Sequence, residues 1–201
     1  EGYNLFFKRP VPLVPRALRL EVDERLYATG EVLKPLDEQS ADATIGALKT
    51  AGVESIAVCL LHAYANPVHE RRLGELLRQR FAEAYVSLSH EILREFREYE
   101  RTSTTVLNSY VGPLVSRYLV SLEKLLGEGG FKGTFRVMQS NGGLMSAETA
   151  KKMPVTMMES GPVAGVIAAA SLGESLDCRH IISLDMGGTT AKASLIKDFH
   201  P

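Results

Sequence analysis

The sequence has no tryptophan, two cysteines and 7% aromatic residues. Two cysteines cannot make a disulfide framework, and no Cys-x-x-Cys pair or Cys/His cluster offers a zinc site. Cys59 sits within the apolar run Ile56 to Leu61 and reads as a reduced core residue, while Cys178 falls in a polar loop. A reducing, cytoplasmic setting is the expectation. Charge of either sign is not in excess: 23 Lys and Arg against 24 Asp and Glu leave a net charge of −1. No electrostatic case therefore exists for nucleic acid or an anionic membrane as partner. No apolar run approaches the ~20 residues that span a bilayer. Glu1-Gly2-Tyr3-Asn4 lacks the basic start of a secretory signal, and no apolar core follows it. What is present is ordinary for a globular chain: 201 residues, 45% hydrophobic and 23% charged, enough for one large domain or two small ones.

The most informative stretch lies near the C-terminus. His180-Ile181-Ile182-Ser183-Leu184 is an apolar run that ends on Asp185, and Met186-Gly187-Gly188-Thr189-Thr190-Ala191-Lys192 follows. Ala193 to Ile196 then resume a strand-like pattern, so the segment reads as strand, tight turn, strand. Adjacent glycines let a ligand approach the backbone and expose N–H groups. The Thr189 and Thr190 hydroxyls add donors, and Asp185 is suited to hold Mg²⁺ through water. The combination suits a phosphate with its magnesium; Gly-Gly between strands also suits a plain hairpin turn. The chain begins with Glu and runs five residues past Ile196, which predicts an internal fragment.

Upstream, Pro10, Pro12, Pro15 and Pro35 mark residues 1–36 as an extended lead-in, with a rough alternation over Arg19 to Leu26 and a short strand at Glu31-Val32-Leu33 after a turn. Asp37 caps a predicted helix from Glu38 to Ala51 that stops at Gly52. Val53 to Leu61 reads as a buried strand. Asn66-Pro67 starts a helix with Asn as cap and Pro first, and Leu73, Leu76, Leu77 and Phe81 form its apolar face. Tyr85 to Leu88 is the next strand, so helices and strands alternate as in a sheet with crossover helices. The longest helix follows Arg97-Glu98-Tyr99-Glu100-Arg101-Thr102; Val115, Tyr118, Leu119, Leu122, Leu125 and Leu126 give its period, and Gly127, Gly129 and Gly130 end it. Phe135 to Met138 is a strand entering the loop Gln139-Ser140-Asn141-Gly142-Gly143. Ser146 opens a short helix. Ser160-Gly161-Pro162 opens another, with Ser160 or Gly161 as cap and Val163, Val166, Ile167 and Ala170 facing inward.

Beyond the hairpin, three segments invite a functional reading. The 139–143 loop ends a strand, where ligands bind in open α/β sheets, yet Asn-Gly is also a common turn. Glu159-Ser160-Gly161-Pro162 presents N–H groups that suit an anion, or are simply capped by Ser160. Glu98, Tyr99, Glu100 and Arg101 suit a polar cleft wall, or a solvated surface on which Arg97 and Arg101 pair with the glutamates. His62 and His69 do not have the spacing of a metal pair.

Together these segments resemble the hydantoinase A / 5-oxoprolinase family, which includes N-methylhydantoinase and acetone carboxylase subunits. The resemblance rests on Val11-Pro12-Leu13-Val14-Pro15-Arg16, Glu21 to Arg25, Leu61 to Glu70, Arg97 to Thr105, Met138 to Met145, Glu159 to Val166 and the Asp185 stretch. It implies an α/β fold, a fragment of the actin/Hsp70/sugar-kinase-like two-lobe architecture, with a mixed sheet and flanking helices. Residues 37–130 would end the first lobe, and 131–201 would start the second with its phosphate hairpin. It further implies an ATP-dependent hydrolase that opens cyclic amides of hydantoin or oxoproline type, with ATP and Mg²⁺ as cofactors. A hydantoinase B-type subunit, or a fused equivalent, would be the partner. Asp185, Gly187, Gly188, Thr189 and Thr190 match the family's phosphate hairpin, and Asp185 would hold the metal. Lys192 stands where many relatives, oxoprolinases among them, carry Asp; it would reach a phosphate oxygen or point to solvent, and it favours the hydantoinase branch. No catalytic base is assigned. The alternatives are an ATP-dependent ketone carboxylase subunit, a sugar or acetate kinase relative sharing the hairpin, and a non-catalytic scaffold or docking segment. The fragment alone is expected to be inactive and not to bind the nucleotide.

Overall fold

A computed structural model describes residues 3–8 and 10–201; the readings that touch Glu1, Gly2 and Arg9 lie outside the described residues. The chain forms two compact units, Glu1–Pro113 and Leu114–Pro201.

In the first unit, β1 (Arg25–Leu26) and β2 (Val32–Lys34) form a small antiparallel hairpin. Next comes α1 (Glu38–Thr50), capped by Asp37, whose carboxylate accepts from the Gln39 N–H at 2.9 Å. Such a cap contributes about 1 kcal/mol. Gly52, at φ +67°, turns the chain out of the helix in a left-handed conformation that a side chain would strain. Then follow β3 (Ser55–Val58), α2 (Val68–Arg80) and β4 (Tyr85–Leu88), with β3 and β4 in parallel register from Ser55↔Tyr85 to Val58↔Leu88. Asn66 does accept the first N–H of α2, from Val68 at 3.1 Å, but the helix starts one residue later than its Pro67 signal. A short α3 (Ser89–Ile92) leads to α4 (Glu98–Glu128), a helix of 31 residues. The core is Ala41 and Ile45 from α1, Ile56 and Val58 from β3, the predicted face Leu73, Leu76 and Leu77 of α2 with Phe81, and Leu88 from β4.

Beside this apolar core lies a buried polar one. Glu70, at 0% exposure, accepts from the Leu60 N–H (2.9 Å) and Ser89 Oγ (2.6 Å) on Oε1, and from the His90 N–H (3.0 Å) on Oε2. His90 Nδ1 lies 2.8 Å from the same Oε2 and, protonated there, is a fourth donor. Arg101 belongs to this group too, against the reading that places it on a solvated surface with Arg97. Arg97 does lie 3.5 Å from Glu100 in the open, but Arg101 is at 0% exposure. Its Nη2 donates to the Leu60 carbonyl at 2.8 Å, and its guanidinium carbon lies 5.4 Å from the Tyr64 ring centre. The reason is the helical period. Arg101, Thr105, Asn108 and Ser109 share one stripe of α4, and that polar stripe is buried. Thr105 donates to the Arg101 carbonyl, Asn108 to Ser87 Oγ and Ser109 to the Ile56 carbonyl, so burial leaves the Thr105, Asn108 and Ser109 side-chain donors satisfied. Gly112, on the same helix, meets the Tyr85 ring so closely that a Cβ would lie 2.2 Å from it.

The second unit holds the rest of α4, the antiparallel pair β5 (Arg136–Met138) and β6 (Leu144–Ser146), α5 (Ala147–Lys152), α6 (Ser160–Ser175) and the hairpin β7 (His180–Met186) and β8 (Ala191–Lys197). Ser146 caps α5 through the Thr149 N–H at 3.1 Å. Leu119, Val137, Met145 and Ala150 make its core, with Val115 packed against them. Tyr118 and Leu125, counted in the predicted apolar stripe, are exposed instead. The chain is therefore α/β with parallel and antiparallel pairs, and among the described residues no helix is long and apolar enough to cross a membrane.

Two outcomes follow. Glu70→Ala strands four donors in a dry site and is expected to cost about 3–5 kcal/mol in urea unfolding, against about 2–5 for Leu76→Ala. A loss below about 1 kcal/mol would refute the central role given to Glu70. Burial pushes the Tyr85 phenol up from 10.0 to about 12, with an opposing Asn108 hydrogen bond. The folded state then holds this proton more tightly than the unfolded one, so stability falls as pH rises from about 10 to about 12, and Tyr85→Phe removes that slope. An identical pH slope in the Phe variant would contradict the assignment.

Candidate functional site

Alternation in β7 and β8 puts Ile181, Ser183, Lys192, Ser194 and Ile196 on the covered side and Ile182, Leu184, Met186 and Leu195 on the exposed side. Asp185 pairs in register with Lys192, and Met186 with Ala191. The Gly187 N–H donates to the Thr190 carbonyl at 3.0 Å and closes the turn. Asp185, Gly187, Gly188, Thr189 and Thr190 are all exposed. A Cβ on Gly187 or Gly188 would meet nothing within 4 Å, and neither has a left-handed φ. Nothing in the chain's own packing requires glycine here, which leaves the tip open to a close ligand.

Asp185 brings one carboxylate to the hairpin, and among the described residues no group of three or more His, Cys, Asp or Glu converges on a metal position. That donor set fits Mg²⁺, which binds through one or two carboxylates, waters and substrate phosphates, and does not fit a cation held by protein alone.

Lys192 is not free: its ammonium pairs with the Glu159 carboxylate, at a place that solvent still reaches. Glu159 precedes α6 and is its cap position, without a side-chain hydrogen bond to the helix, so the cap expected at Ser160 or Gly161 lies one residue earlier. The Glu159 N–H donates to Ser140 Oγ at 3.1 Å, and the Ser140 N–H to the Thr156 carbonyl at 2.7 Å. In the 139–143 loop the Gly142 N–H donates to the Gln139 carbonyl at 3.0 Å, with Gly142 at φ +85°, and Asn141 Oδ1 accepts from the Gly143 N–H. Here the turn reading of Asn-Gly is the one seen.

Three segments that sequence reasoning treated separately thus meet. Asn141, Glu159 and Lys192 line one cavity of about 430 Å³, with Ser194 beside them and Val163, Val166 and Ile167 as its apolar wall. Val163, Val166 and Ile167 therefore face this cavity rather than a closed core. The Lys192–Glu159 pair cancels its own charge, so the cavity offers an adjacent cation and carboxylate against an apolar surface. Glu159 as the partner of Lys192 was missed, although the period-2 alternation already put Lys192 and Ser194 on one face. Among the other candidates, His62 has a left-handed backbone (φ 60°) with Nδ1 3.4 Å from the Tyr64 hydroxyl, while His69 Nδ1 lies 2.6 Å from Glu24. Among the described residues those histidines share no partner.

Comparison with known proteins gives a consistent set of relatives. The family model described as hydantoinase/oxoprolinase matches residues 101–201, and the hydantoinase/oxoprolinase N-terminal region matches residues 2–81. An uncharacterized protein of Methanocaldococcus jannaschii is 43% identical over 199 residues, 99% of this chain and 29% of its own length. Caprolactamase subunit alpha of Pseudomonas jessenii is 34% identical over 185 residues, 92% of this chain and 27% of its own. Nucleotide-free acetone carboxylase, an enzyme of ATP-dependent acetone carboxylation, superposes with a TM-score of 0.84 at 34% identity, over 96% of this chain and 28% of that one. The chain thus spans less than a third of the length of these relatives.

Proposed function

Because the chain belongs to the hydantoinase/oxoprolinase family, we propose that it is part of a longer ATP-dependent enzyme that opens a cyclic amide of hydantoin or oxoproline type. The observation that carries this reading is the exposed Asp185–Lys192 hairpin, whose two glycines serve no packing or backbone purpose of their own. Gly187 and Gly188 would give backbone N–H groups to phosphate, Thr189 and Thr190 would give hydroxyls, and Asp185 would hold Mg²⁺ through water. Mg²⁺ in that place would neutralise charge on the phosphates. Phosphoryl transfer depends mainly on positioning and electrostatic stabilisation, which are what such groups supply. Lys192 would add its positive charge beside the same ligand while staying paired with Glu159. Residues 131–201 would open the second lobe of the nucleotide-binding fold, and a hydantoinase B-type subunit would complete the enzyme. One relative is named as the alpha subunit of caprolactamase, which supports a multi-subunit assembly.

An ATP-dependent ketone carboxylase subunit is the second reading, supported by the 34% identity to acetone carboxylase. Substrate trials with a lactam and a ketone separate the two.

Calorimetry of MgATP binding by the longer protein, with this 201-residue chain titrated in parallel, tests the reading. Binding by the longer protein alone is expected. Asp185→Ala should lower ATP-dependent turnover by about 10²-fold, the scale of losing one key electrostatic group. Gly187→Ala should weaken MgATP binding while leaving stability equal or higher by about 0.4–1 kcal/mol. Unchanged turnover in Asp185→Ala, or unchanged MgATP affinity in Gly187→Ala, would remove the phosphate site.

A further inference from the structure

We propose that the Glu159–Lys192 pair and the cavity it flanks form the seat of the substrate's ring amide, with Glu159 reading its N–H; this rests on the cyclic-amide reading above. The argument is one of matched groups. The two side chains touch, so a donor and an acceptor stand side by side at the cavity edge. A lysine ammonium has three donors, and one contact with Glu159 leaves the others for a carbonyl oxygen. The contact engages Glu159 Oε2, which leaves Oε1 for an incoming N–H. An amide inside a small ring is held cis, so its C=O and N–H lie on one edge, in the same order of acceptor and donor. The methylenes of such a ring would rest on Val163, Val166 and Ile167.

Size and charge agree with this occupant. The cavity, about 430 Å³ and broadly open to solvent, with Pro201 in its lining, has room for a small ring. A ligand that put a carboxylate where the amide N–H should sit would be repelled by Glu159. A ketone would use Lys192 and leave Glu159 unmatched. A neutral cyclic amide uses both without breaking the pair. The pair is also accessible, with side-chain exposures of 38% for Lys192 and 63% for Glu159.

The experiment compares δ-valerolactam, N-methyl-δ-valerolactam and cyclohexanone as ligands of the longer protein without nucleotide, in the wild type, Glu159→Met and Glu159→Gln. The wild type is expected to prefer the N–H lactam over its N-methyl form by about tenfold, the scale of one hydrogen bond to a charged group. Glu159→Met should bring that ratio close to one, and Glu159→Gln, which keeps an acceptor oxygen, should restore part of it. A general loss of structure would lower both affinities and leave the ratio without meaning, so circular dichroism of each variant accompanies the titration. No lactam binding by the wild type, no N–H preference, or a preference that survives in Glu159→Met overturns the proposal. MgATP titrated separately keeps the two readings apart. Nucleotide binding without lactam preference defeats this inference alone, and lactam preference without nucleotide binding defeats the nucleotide reading alone.

Discussion

One buried carboxylate organises the first unit. Glu70 sits on α2, yet its donors come from the exit of β3 at Leu60 and the exit of β4 at Ser89 and His90. A single side chain therefore fixes where both parallel strands end relative to the helix between them. Leu60 carries the tie further: its N–H points to Glu70 and its carbonyl receives Arg101. The carboxylate and the guanidinium are thus linked through the two backbone groups of one residue. A buried charge is tolerated only when its hydrogen-bonding capacity is met, and Glu70 meets that condition more fully than Arg101 does. Arg101 Nε and Nη1 are buried with no hydrogen-bond partner among the described residues, and the Tyr64 ring face is what lies beside the guanidinium.

The second unit follows another logic. Its hairpin places a single acid, two glycines and two hydroxyls at an open tip, while the opposite end is anchored by Ile196 against the rest of the unit. Rigid anchoring at one end and an uncrowded backbone at the other is the arrangement by which a ligand meets fixed N–H groups without side chains in the way. The Lys192–Glu159 pair links this hairpin to the start of α6, and Ser140 holds the same point from the 139–143 loop.

Much of this was legible in the sequence, and each failure has a physical cause. Asp37, Gly52 and the Leu73-Leu76-Leu77 spacing define their helices because local capping and apolar period agree. The 180–196 hairpin was legible because apolar runs flank a Gly-Gly turn. Arg101 was misread because the buried stripe of α4 there is polar, and periodicity of apolar residues is blind to a stripe made of Arg101, Thr105, Asn108 and Ser109. Tyr118 and Leu125 show the converse, apolar residues at helical spacing that stay exposed. Glu159 was found as part of a helix start but not as the partner of Lys192, since 33 residues separate them and nothing local joins them. The glycines of the hairpin tip were legible as a motif, whereas their lack of any intrachain purpose needed coordinates.

The apolar core of the first unit has a kinetic consequence. Its members run from Ala41 to Leu88, each on an element adjacent in sequence to the next. Contacts between successive elements close over short loops and keep the entropic barrier low, whereas the parallel β3–β4 pair closes a longer crossover through α2. Chains are made from the N-terminus, so α1, β3, α2 and β4 can meet before α4 has left the ribosome. The polar stripe of α4 then arrives onto a surface whose partners, Ile56, Leu60 and Ser87, are already in place.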